Sequence, residues 1–231
     1  MLREWDDLPR FMKCEEVREY YNILAQKKTS LRLKRGFDLV VSGIMLVVLA
    51  IPMAFIAVVI KLDSKGPVFY RQERVTAYGK KFRIHKFRTM VDNADKIGAA
   101  VTVDDDSRIT RIGAKLRNLR FDELPQVFDV LAGDMSFVGT RPEAVKYVEQ
   151  YKPEFNATLL MPAGITSEAS IRYKDECKLL DAAGKVDEVY VNQVLPKKMK
   201  WNLESIRKFG VFREILTIFR TVFAVLGKDY S

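Results

Sequence analysis

The strongest hydrophobic pattern in the chain is one long uncharged segment near the N-terminus. Residues 39–60 are 22 consecutive positions without a charge, and nearly all of them are Leu, Val, Ile, Met, Ala or Phe. A helix of this length is long enough to cross a bilayer. Because 38 residues that include many charges precede it, we do not expect a signal peptide. The pattern predicts a helix that contacts the membrane.

Two features of this segment favour a re-entrant helix, which dips into the membrane and returns to the same side. Pro52 lies inside the segment and lacks a backbone donor, which predicts a break or kink in the helix. Basic residues flank both ends, with Arg32, Lys34 and Arg35 before the segment and Lys61 and Lys65 after it. A spanning helix normally has its positive flank on the cytoplasmic side only. We therefore interpret residues 34–62 as re-entrant, with a straight span or a buried core helix as alternatives.

A second apolar pattern with helical spacing lies near the C-terminus. Its members are Ile206, Phe209, Phe212, Ile215, Leu216, Phe219, Val222, Phe223 and Leu226. Arg207, Lys208, Arg213 and Arg220 occupy positions between them. This pattern is typical of an amphipathic helix in the lipid interface, and it is equally consistent with packing on the protein's own core. We expect an interfacial helix over residues 201–231.

The remaining pattern predicts a mixed, helix-rich α/β domain over residues 63–200. Short strands are expected at 68–72 and 81–89, with a turn at 77–79. Helices are expected at 107–120, capped by Asp106 or Ser107, at 122–132, and at 142–151 with Pro142 in the first helical position. Residues 1–33 form a mixed-charge helical extension in this interpretation.

Charge and residue usage narrow the classes of function. The chain has 39 Lys and Arg against 30 Asp and Glu, a net charge of +9, and residues 61–90 contain nine basic and two acidic residues. This balance indicates an anionic partner, which could be a nucleotide phosphate, an anionic lipid or nucleic acid. Cys14, Cys177 and the single His85 support neither a disulfide scaffold nor a zinc site.

Sequence motifs exclude several familiar kinds of catalytic site. The chain has no Gly-x-Gly-x-x-Gly motif, no phosphate loop ending in Gly-Lys-Ser/Thr, and no Gly-x-Ser-x-Gly motif. The consecutive Asp104, Asp105 and Asp106 are more typical of a solvated capping loop than of a metal site. The remaining candidate catalytic groups are carboxylates that lie close to basic residues in the sequence.

The densest such group is Arg117-x-x-Arg120-Phe121-Asp122-Glu123-Leu124-Pro125. An ionised Asp122 near a helix N-terminus could attack a phosphorus atom, while neighbouring arginines offset the charge of the phosphate. Glu123 could hold Mg²⁺, which commonly binds one or two carboxylates together with substrate phosphate oxygens. An Asp that only caps a helix would leave the same pattern, so both interpretations stay open from the residues alone.

At these residues the sequence resembles the bacterial sugar transferase family, the monotopic phosphoglycosyl transferases. The resemblance includes the motifs Lys34-Arg35-Gly36-Phe37-Asp38, Gly66-Pro67-Val68-Phe69-Tyr70-Arg71-Gln72-Glu73-Arg74, Lys86-Phe87-Arg88-Thr89-Met90, Asp122-Glu123-Leu124-Pro125-Gln126, Gly133-Asp134-Met135-Ser136-Phe137-Val138-Gly139, Arg141-Pro142-Glu143 and Gly164-Ile165-Thr166. Weaker similarity continues through the C-terminus, and the first 33 residues lie outside it. Several motifs in the same order make a chance match improbable.

The resemblance implies transfer of a sugar 1-phosphate from a UDP-sugar to a polyprenyl phosphate such as undecaprenyl phosphate, with release of UMP. It implies that Asp122 is the nucleophile, that Glu123 has the Mg²⁺-linked role, and that the motif cations bind phosphate. Those cations are Lys86, Arg88, Arg117 and Arg141. It also implies a re-entrant helix and an active site on the cytoplasmic face of the bacterial inner membrane.

Three positions depart from the family pattern. Thr76-Ala77-Tyr78 replaces a usual glycine, and Thr140 replaces the proline expected before Arg141. Pro162-Ala163 stands where many members have Arg-Pro, and residues 167–176 also differ from the commonest version. An arginine is thus missing from its expected place, and Arg172 is a candidate substitute.

The alternative function is a membrane-surface scaffold without catalysis. Nucleic-acid binding is not expected, and a homo-oligomer is possible.

Overall fold

The computed structural model describes residues 2–94, 106–173, 186–225 and Gly227. The fold is a helix-rich α/β arrangement with two small sheets and one long apolar helix near the N-terminus. Asp104, Asp105, Cys177 and Leu226, together with residues 174–176 of the divergent segment, lie outside the described residues.

The N-terminal residues pack into the largest hydrophobic cluster. Two single turns of 3-10 helix, Trp5–Asp7 and Arg10–Met12, precede helix α1 (Glu15–Ala25). Leu8, Met12, Val17, Tyr20, Tyr21 and Leu24 are buried in this cluster. They contact the 3-10 helix Pro153–Leu160 and the C-terminal helices. The predicted N-terminal extension is therefore part of the core of the described structure.

Helix α2 (Lys28–Asp63) has 36 residues and includes the whole uncharged segment. It begins six residues before the predicted start at residue 34, and it continues on both sides of Pro52, so the proline does not end the helix. One face packs on the rest of the chain through residues such as Val41, Met45, Met53 and Ile60. The opposite face exposes large apolar side chains: Val40, Ile44, Val47, Val48, Ile51, Phe55, Val58 and Leu62.

The predicted hairpin is confirmed. Strand β1 (Phe69–Val75) pairs antiparallel with β2 (Lys81–Phe87), in a register that runs from Phe69 opposite Phe87 to Val75 opposite Lys81. The turn Ala77–Gly79 contains Tyr78 at φ 60° and Gly79 at φ 75°. Phe82 and Ile84 pack on one hydrophobic cluster and Phe87 on another, whereas Arg71, Glu73, Lys81 and Arg83 are exposed.

Helices α3 (Arg111–Asn118) and α4 (Gln126–Ala132) follow, and then strand β3 (Met135–Val138). The predicted cap of the first helix was wrong. The Thr110 hydroxyl accepts the Gly113 N–H at 3.0 Å and starts α3, because Asp106 instead binds the backbone and side chain of Arg108. The helix predicted over residues 122–132 begins only at Gln126, because Phe121–Glu123 forms a separate 3-10 turn, and Gly133, at φ 90°, ends it.

The last third of the chain contains helix α5 (Val145–Val148), strand β4 (Ala163–Thr166) and helices α6 (Glu168–Arg172), α7 (Val186–Val189), α8 (Leu195–Arg207) and α9 (Val211–Val225). The predicted helix 142–151 begins only at Val145, since residues 139–144 form an irregular loop. The single helix predicted over residues 201–231 is two helices. Ile206 and Phe209 are buried in the core, whereas Phe212 and Phe219 on α9 are exposed.

Strands β3 and β4 form a parallel pair in which glycines allow a very close approach. Ser136 lies opposite Gly164, and Val138 lies opposite Thr166. A Cβ atom at Gly164 would be 2.1 Å from the backbone nitrogen of Gly139. This contact sets the course of the loop that follows β3 and contains Arg141.

Candidate active site

A cleft of 1740 Å³ collects the basic residues of several elements. The cations on its wall include Arg74, Lys86, Arg88, Arg117, Arg120 and Arg141. Another part of the wall is apolar and is formed by α2 and α9, with Phe37, Val41, Met45, Ile218 and Ala224. The cleft therefore has a cationic region for anions and an apolar region next to the two helices that expose apolar faces.

Asp122 and Glu123 lie on a single 3-10 turn, Phe121–Glu123, which precedes α4. Arg120 starts this turn in the left-handed region, at φ 57°. A non-glycine residue costs conformational energy there, and such strain is often found at functional sites. The turn directs both carboxylates into the cleft wall, where they are about nine-tenths buried.

Glu123 is held by two cations from distant parts of the chain. Its Oε1 atom accepts the Lys86 Nζ at 3.0 Å and the Arg141 Nη2 at 2.5 Å, and its Oε2 atom accepts the Arg141 Nη1 at 3.4 Å. Burial alone would raise the pKa of Glu123, but the charges of Arg141 and Lys86 outweigh it and hold this pKa well below its usual value. Glu123 is therefore ionised.

The neighbouring Asp122 has a contrasting environment. Its Oδ1 atom is buried and accepts no hydrogen bond from the described residues. Burial raises the pKa of Asp122 above its ordinary value; the Lys86 charge opposes this shift, and the Glu123 charge adds to it. The expected effect of a helix N-terminus on Asp122 is thus outweighed by burial. Asp122 therefore has one carboxylate oxygen that accepts no hydrogen bond from the described residues, and Lys86 and Arg141 lie near it.

The structure brings three of the four predicted phosphate-binding residues toward this pair. Lys86 and Arg141 contact Glu123 directly, and the positive charge of half-buried Arg117 opposes the rise in the pKa of Asp122. The pKa of Lys86 is lowered by burial despite its contact with Glu123. The Glu123 charge raises the pKa of Arg141, which therefore remains a permanent cation.

Arg88 has a different environment, although it also lines the cleft. Its Nη2 donates to the backbone oxygen of Ser64 at 2.6 Å and to the Ser64 hydroxyl at 2.9 Å. Ser64 directly follows α2, and the Arg88 Nη1 packs where a Cβ of Gly66 would lie. In this structure Arg88 ties β2 to the end of the apolar helix.

Sequence reasoning missed a buried polar network on the same cleft wall. The Tyr190 hydroxyl donates to Glu143 Oε1 at 2.7 Å, and the Lys198 ammonium donates to the Tyr190 oxygen at 3.0 Å and to Glu143 at 3.5 Å. Burial raises the pKa of Glu143, but the Lys198 charge and the Tyr190 hydrogen bond bring it below its usual value. The network anchors the loop that contains Arg141 to α8. Its partners are too distant in sequence for periodicity to reveal them.

The candidate substitute for the missing arginine does not reach this cleft. The Arg172 guanidinium stacks on the Trp201 ring at 3.9 Å, and it lines a separate cavity. Arg74 lines the active-site cleft instead, where its side chain is held by Gln72 and where burial lowers its pKa. Its position in the hairpin motif gave no signal that distinguished it from the exposed Arg71.

Glu123 could bind a divalent cation only if a substrate and water supplied most of the other ligands. No group of three or more metal-ligating side chains occurs among the residues that the structure describes. A carboxylate offers about four lone-pair positions, and Lys86 and Arg141 occupy three of those of Glu123. One position on Oε2 remains, and Mg²⁺ commonly takes its other ligands from phosphate and water.

Comparison with known proteins places these residues in a family. The profile of the bacterial sugar transferase family matches residues 29–228. This chain belongs to the bacterial sugar transferase family. The match begins just after α1, so the buried N-terminal residues lie outside it.

Three curated relatives illustrate the similarity. An Aeromonas hydrophila UDP-N-acetylgalactosamine-undecaprenyl-phosphate N-acetylgalactosaminephosphotransferase is 34% identical over 84% of this chain and 44% of its own length. An Escherichia coli (strain K12) UDP-glucose:undecaprenyl-phosphate glucose-1-phosphate transferase is 36% identical over 83% of this chain and 39% of its own. A Bacillus subtilis (strain 168) putative undecaprenyl-phosphate N-acetylgalactosaminyl 1-phosphate transferase is 39% identical over 74% of this chain and 92% of its own. This chain thus spans less than half the length of the first two.

Proposed function

We propose that this chain transfers a sugar 1-phosphate from a UDP-sugar to undecaprenyl phosphate or another polyprenyl phosphate and releases UMP. The observation that carries the proposal is the contrast between the two neighbouring carboxylates. Glu123 is tied to Lys86 and Arg141, whereas a buried oxygen of Asp122 has no donor among the described residues. The names of the relatives support the same donor and acceptor classes.

In the proposed reaction Asp122 is the nucleophile. A carboxylate oxygen of Asp122 forms a bond to the β-phosphorus of the UDP-sugar, the bond from that phosphorus to the bridging oxygen breaks, and UMP leaves with this oxygen. An oxygen of the polyprenyl phosphate then attacks the same phosphorus and releases the Asp122 carboxylate. Arg117, Lys86 and Arg141 offset the charge on the phosphate groups during both steps.

Mg²⁺ is the proposed cofactor, held by Glu123 together with diphosphate oxygens. When bound, it would act as a Lewis acid toward the phosphate groups. The chain's own contribution is to keep Glu123 ionised through Arg141 and Lys86 and to hold Arg141 in place through the network of Glu143, Tyr190 and Lys198.

The packing of α2 supports a helix whose two ends stay on one side of the membrane. A straight helix over residues 39–60 would be about 33 Å long, which is close to the thickness of the hydrocarbon core. Yet Asp38, before this segment, accepts the Phe137 N–H at 3.3 Å, and Asp63, after it, accepts the Ile112 N–H at 3.3 Å. Because both flanks bind the same domain, we propose a monotopic, re-entrant arrangement with the active site on the cytoplasmic face of the bacterial inner membrane.

The apolar wall of the cleft is consistent with a lipid acceptor. Val41 and Met45 of α2 and Ile218 of α9 line the cleft, and both helices also expose apolar side chains on their outer faces. A polyprenyl chain could therefore remain among lipids while its phosphate reaches the cationic region. This route removes the need to transfer a long hydrocarbon chain through water.

The test is UMP release by the purified chain in detergent with Mg²⁺, undecaprenyl phosphate and a panel that includes UDP-glucose and UDP-N-acetylgalactosamine. We expect release that depends on the lipid with one donor and is lost in Asp122→Asn. Asp129→Asn is the matched control, because Asp129 binds His85 and does not line the cleft. Full activity in Asp122→Asn would disprove the nucleophile, and lipid binding without UMP release from any donor would favour the scaffold alternative.

Topology is tested separately by cysteine labelling in intact cells. Single cysteines at Arg32 and Lys65, which are both exposed, should resist a reagent that cannot cross the membrane, and both should react after permeabilisation. Labelling of one flank from outside would show that α2 spans the bilayer.

A further inference from the structure

A second cavity lies on the far side of the Arg141 loop, between α6, α8 and α9. It has a volume of 240 Å³, and Val138, Gly139 and Thr140 line it from the loop side. The remaining wall includes Trp201 of α8 together with charged residues, which are Glu168, Arg172, Glu204, Lys208, Arg213, Glu214 and Arg220. Nothing in the proposed transfer reaction uses this cavity.

The charges around the cavity do not cancel. Arg220 binds Glu168 at 3.1 Å, Lys208 binds Glu204 at 2.5 Å, and Lys34 from α2 binds Glu214 at 2.5 Å. The acidic groups of the wall are thus each compensated. Arg172 and Arg213 also line the cavity, and neither forms an ion pair within 4.0 Å with a residue that the structure describes, although the charge of Arg213 helps to lower the pKa of Glu204. The basic groups of the wall therefore outnumber the acidic ones, and two guanidinium groups have no direct carboxylate contact, which makes this cavity suited to an anion.

The cavity also adjoins the part of α9 that faces lipid in the proposed arrangement. Phe212, Leu216, Phe219 and Phe223 form an exposed apolar stripe on this helix, with Phe212 80% exposed. Arg213, Thr217 and Arg220 are spaced to share the neighbouring side of α9, and all three line the cavity. An anion held there would lie at the boundary between the apolar stripe and water, where phospholipid headgroups are found.

We propose that this cavity binds the headgroup of an anionic phospholipid, with its phosphate at Arg213 and Arg172. The proposal rests on the membrane association of α2 and α9 and on no part of the transfer chemistry. Arginine suits this ligand, because its planar guanidinium can donate two parallel hydrogen bonds to phosphate oxygens. A lipid bound there would contact the loop that contains Arg141, which gives the bilayer a direct link to the active site.

The experiment uses Trp201 as a local reporter in a Trp5→Phe background, since these are the two tryptophans of the chain. The full chain in neutral detergent is titrated with mixed micelles that contain either phosphatidylglycerol or phosphatidylcholine. We expect phosphatidylglycerol to change the Trp201 emission and phosphatidylcholine to leave it unchanged. Arg213→Gln should weaken the response about fivefold, the effect of one basic residue near an anionic lipid surface.

Two further variants separate a built site from diffuse attraction. Arg213→Lys keeps the charge but loses the paired hydrogen bonds, so a specific headgroup site predicts weaker binding in this variant too. Arg10→Gln removes an exposed charge from the N-terminal region and should have no effect. The proposal is overturned if Arg213→Lys binds like the parent, or if Arg10→Gln weakens binding as much as Arg213→Gln.

Inorganic phosphate is the last arm of the test. If free phosphate changes the Trp201 emission as strongly as the lipid does, the cavity is a small-anion site and the lipid assignment is wrong. Circular dichroism of each variant excludes unfolding as a cause. Since the reporter needs no turnover, a chain that binds lipid but releases no UMP would refute the proposed function and leave this inference standing.

Discussion

The Arg141 guanidinium donates hydrogen bonds from both of its terminal nitrogens to the two carboxylate oxygens of Glu123, at 2.5 Å and 3.4 Å. The pair joins the loop after β3 to the single turn before α4 and places a permanent cation next to Asp122. Lys86 completes the group from β2. Three separate elements therefore meet at one carboxylate, and loss of that carboxylate should affect all of them.

Glu123→Gln should destabilise the protein by about 3 kcal/mol, because it leaves Lys86 and Arg141 without their charge partner in a largely buried place. The free energy of unfolding, measured by denaturant titration in detergent, tests this expectation. Glu73→Gln is the control, since Glu73 and Lys81 form an exposed pair at 3.7 Å and should contribute little. Equal losses in the two variants would contradict the central role of Glu123.

Asp122→Asn should be more stable than the parent, and the gain should grow as pH rises. The folded state raises the pKa of Asp122 above its ordinary value of 3.8, so it binds this proton more tightly than the unfolded state does. The free energy of unfolding of the parent therefore falls as pH increases from 3.8 through the raised pKa. Unfolding midpoints across this range check the sign. A gain that is independent of pH would contradict it.

For Glu123 the dependence of stability on pH has the opposite sign. Its folded-state pKa lies well below the ordinary value of 4.5, so its contribution to stability is present above pH 4.5 and is lost as pH falls toward the lowered pKa. The deficit of Glu123→Gln should shrink over that acidic range. The two neighbouring carboxylates thus give opposite pH trends in the same experiment.

Leu24→Ala should cost about 2–4 kcal/mol, because Leu24 is completely buried in the largest cluster. Asn22→Ala on the same helix changes an exposed residue and serves as the control. The measurement also tests whether the residues before the family match belong to the core. A negligible effect of Leu24→Ala would mean that α1 is not docked as described.

Gly164→Ala should strongly reduce the rate of UMP release. The added methyl group would lie 2.1–2.5 Å from backbone atoms of Gly139, so β3 and β4 must separate and the Arg141 loop must shift. Gly36→Ala, with no atoms near the added methyl group, should leave the rate unchanged. A fully active Gly164→Ala would show that the loop does not need this close approach.

Local features of the fold were predictable, and contacts between distant segments were not. Alternation and the turn residues predicted the β1–β2 hairpin, and the uncharged run predicted α2. That Asp122 and Glu123 lie side by side is also visible in the sequence, because they are neighbours, but the 3-10 turn that contains them was predicted as the start of a helix. In contrast, the contact between Lys86 and Glu123 joins residues 37 positions apart, and no periodicity connects them.

The errors of prediction have physical causes. Residues 201–231 show one continuous amphipathic pattern, but Ile206 and Phe209 are buried on the core while Phe212 is exposed, so the chain must turn near Gly210. The N-terminal residues looked like a separate extension because their cluster partners are mostly far along the chain, as in the hydrogen bond from Tyr20 to Glu154. Burial by remote elements cannot be inferred from local spacing.

The left-handed backbone of Arg120 implies a conflict between resistance to unfolding and activity. Glycine would adopt φ 57° without steric cost, so a chain selected only to resist unfolding would gain from glycine there. Arginine persists at the cost of that strain, and its side chain lines the cleft and helps to lower the pKa of Glu123. Selection for heat tolerance alone would therefore favour replacement of Arg120 and would remove a cation from the cleft, at the position directly before the turn that contains Asp122 and Glu123.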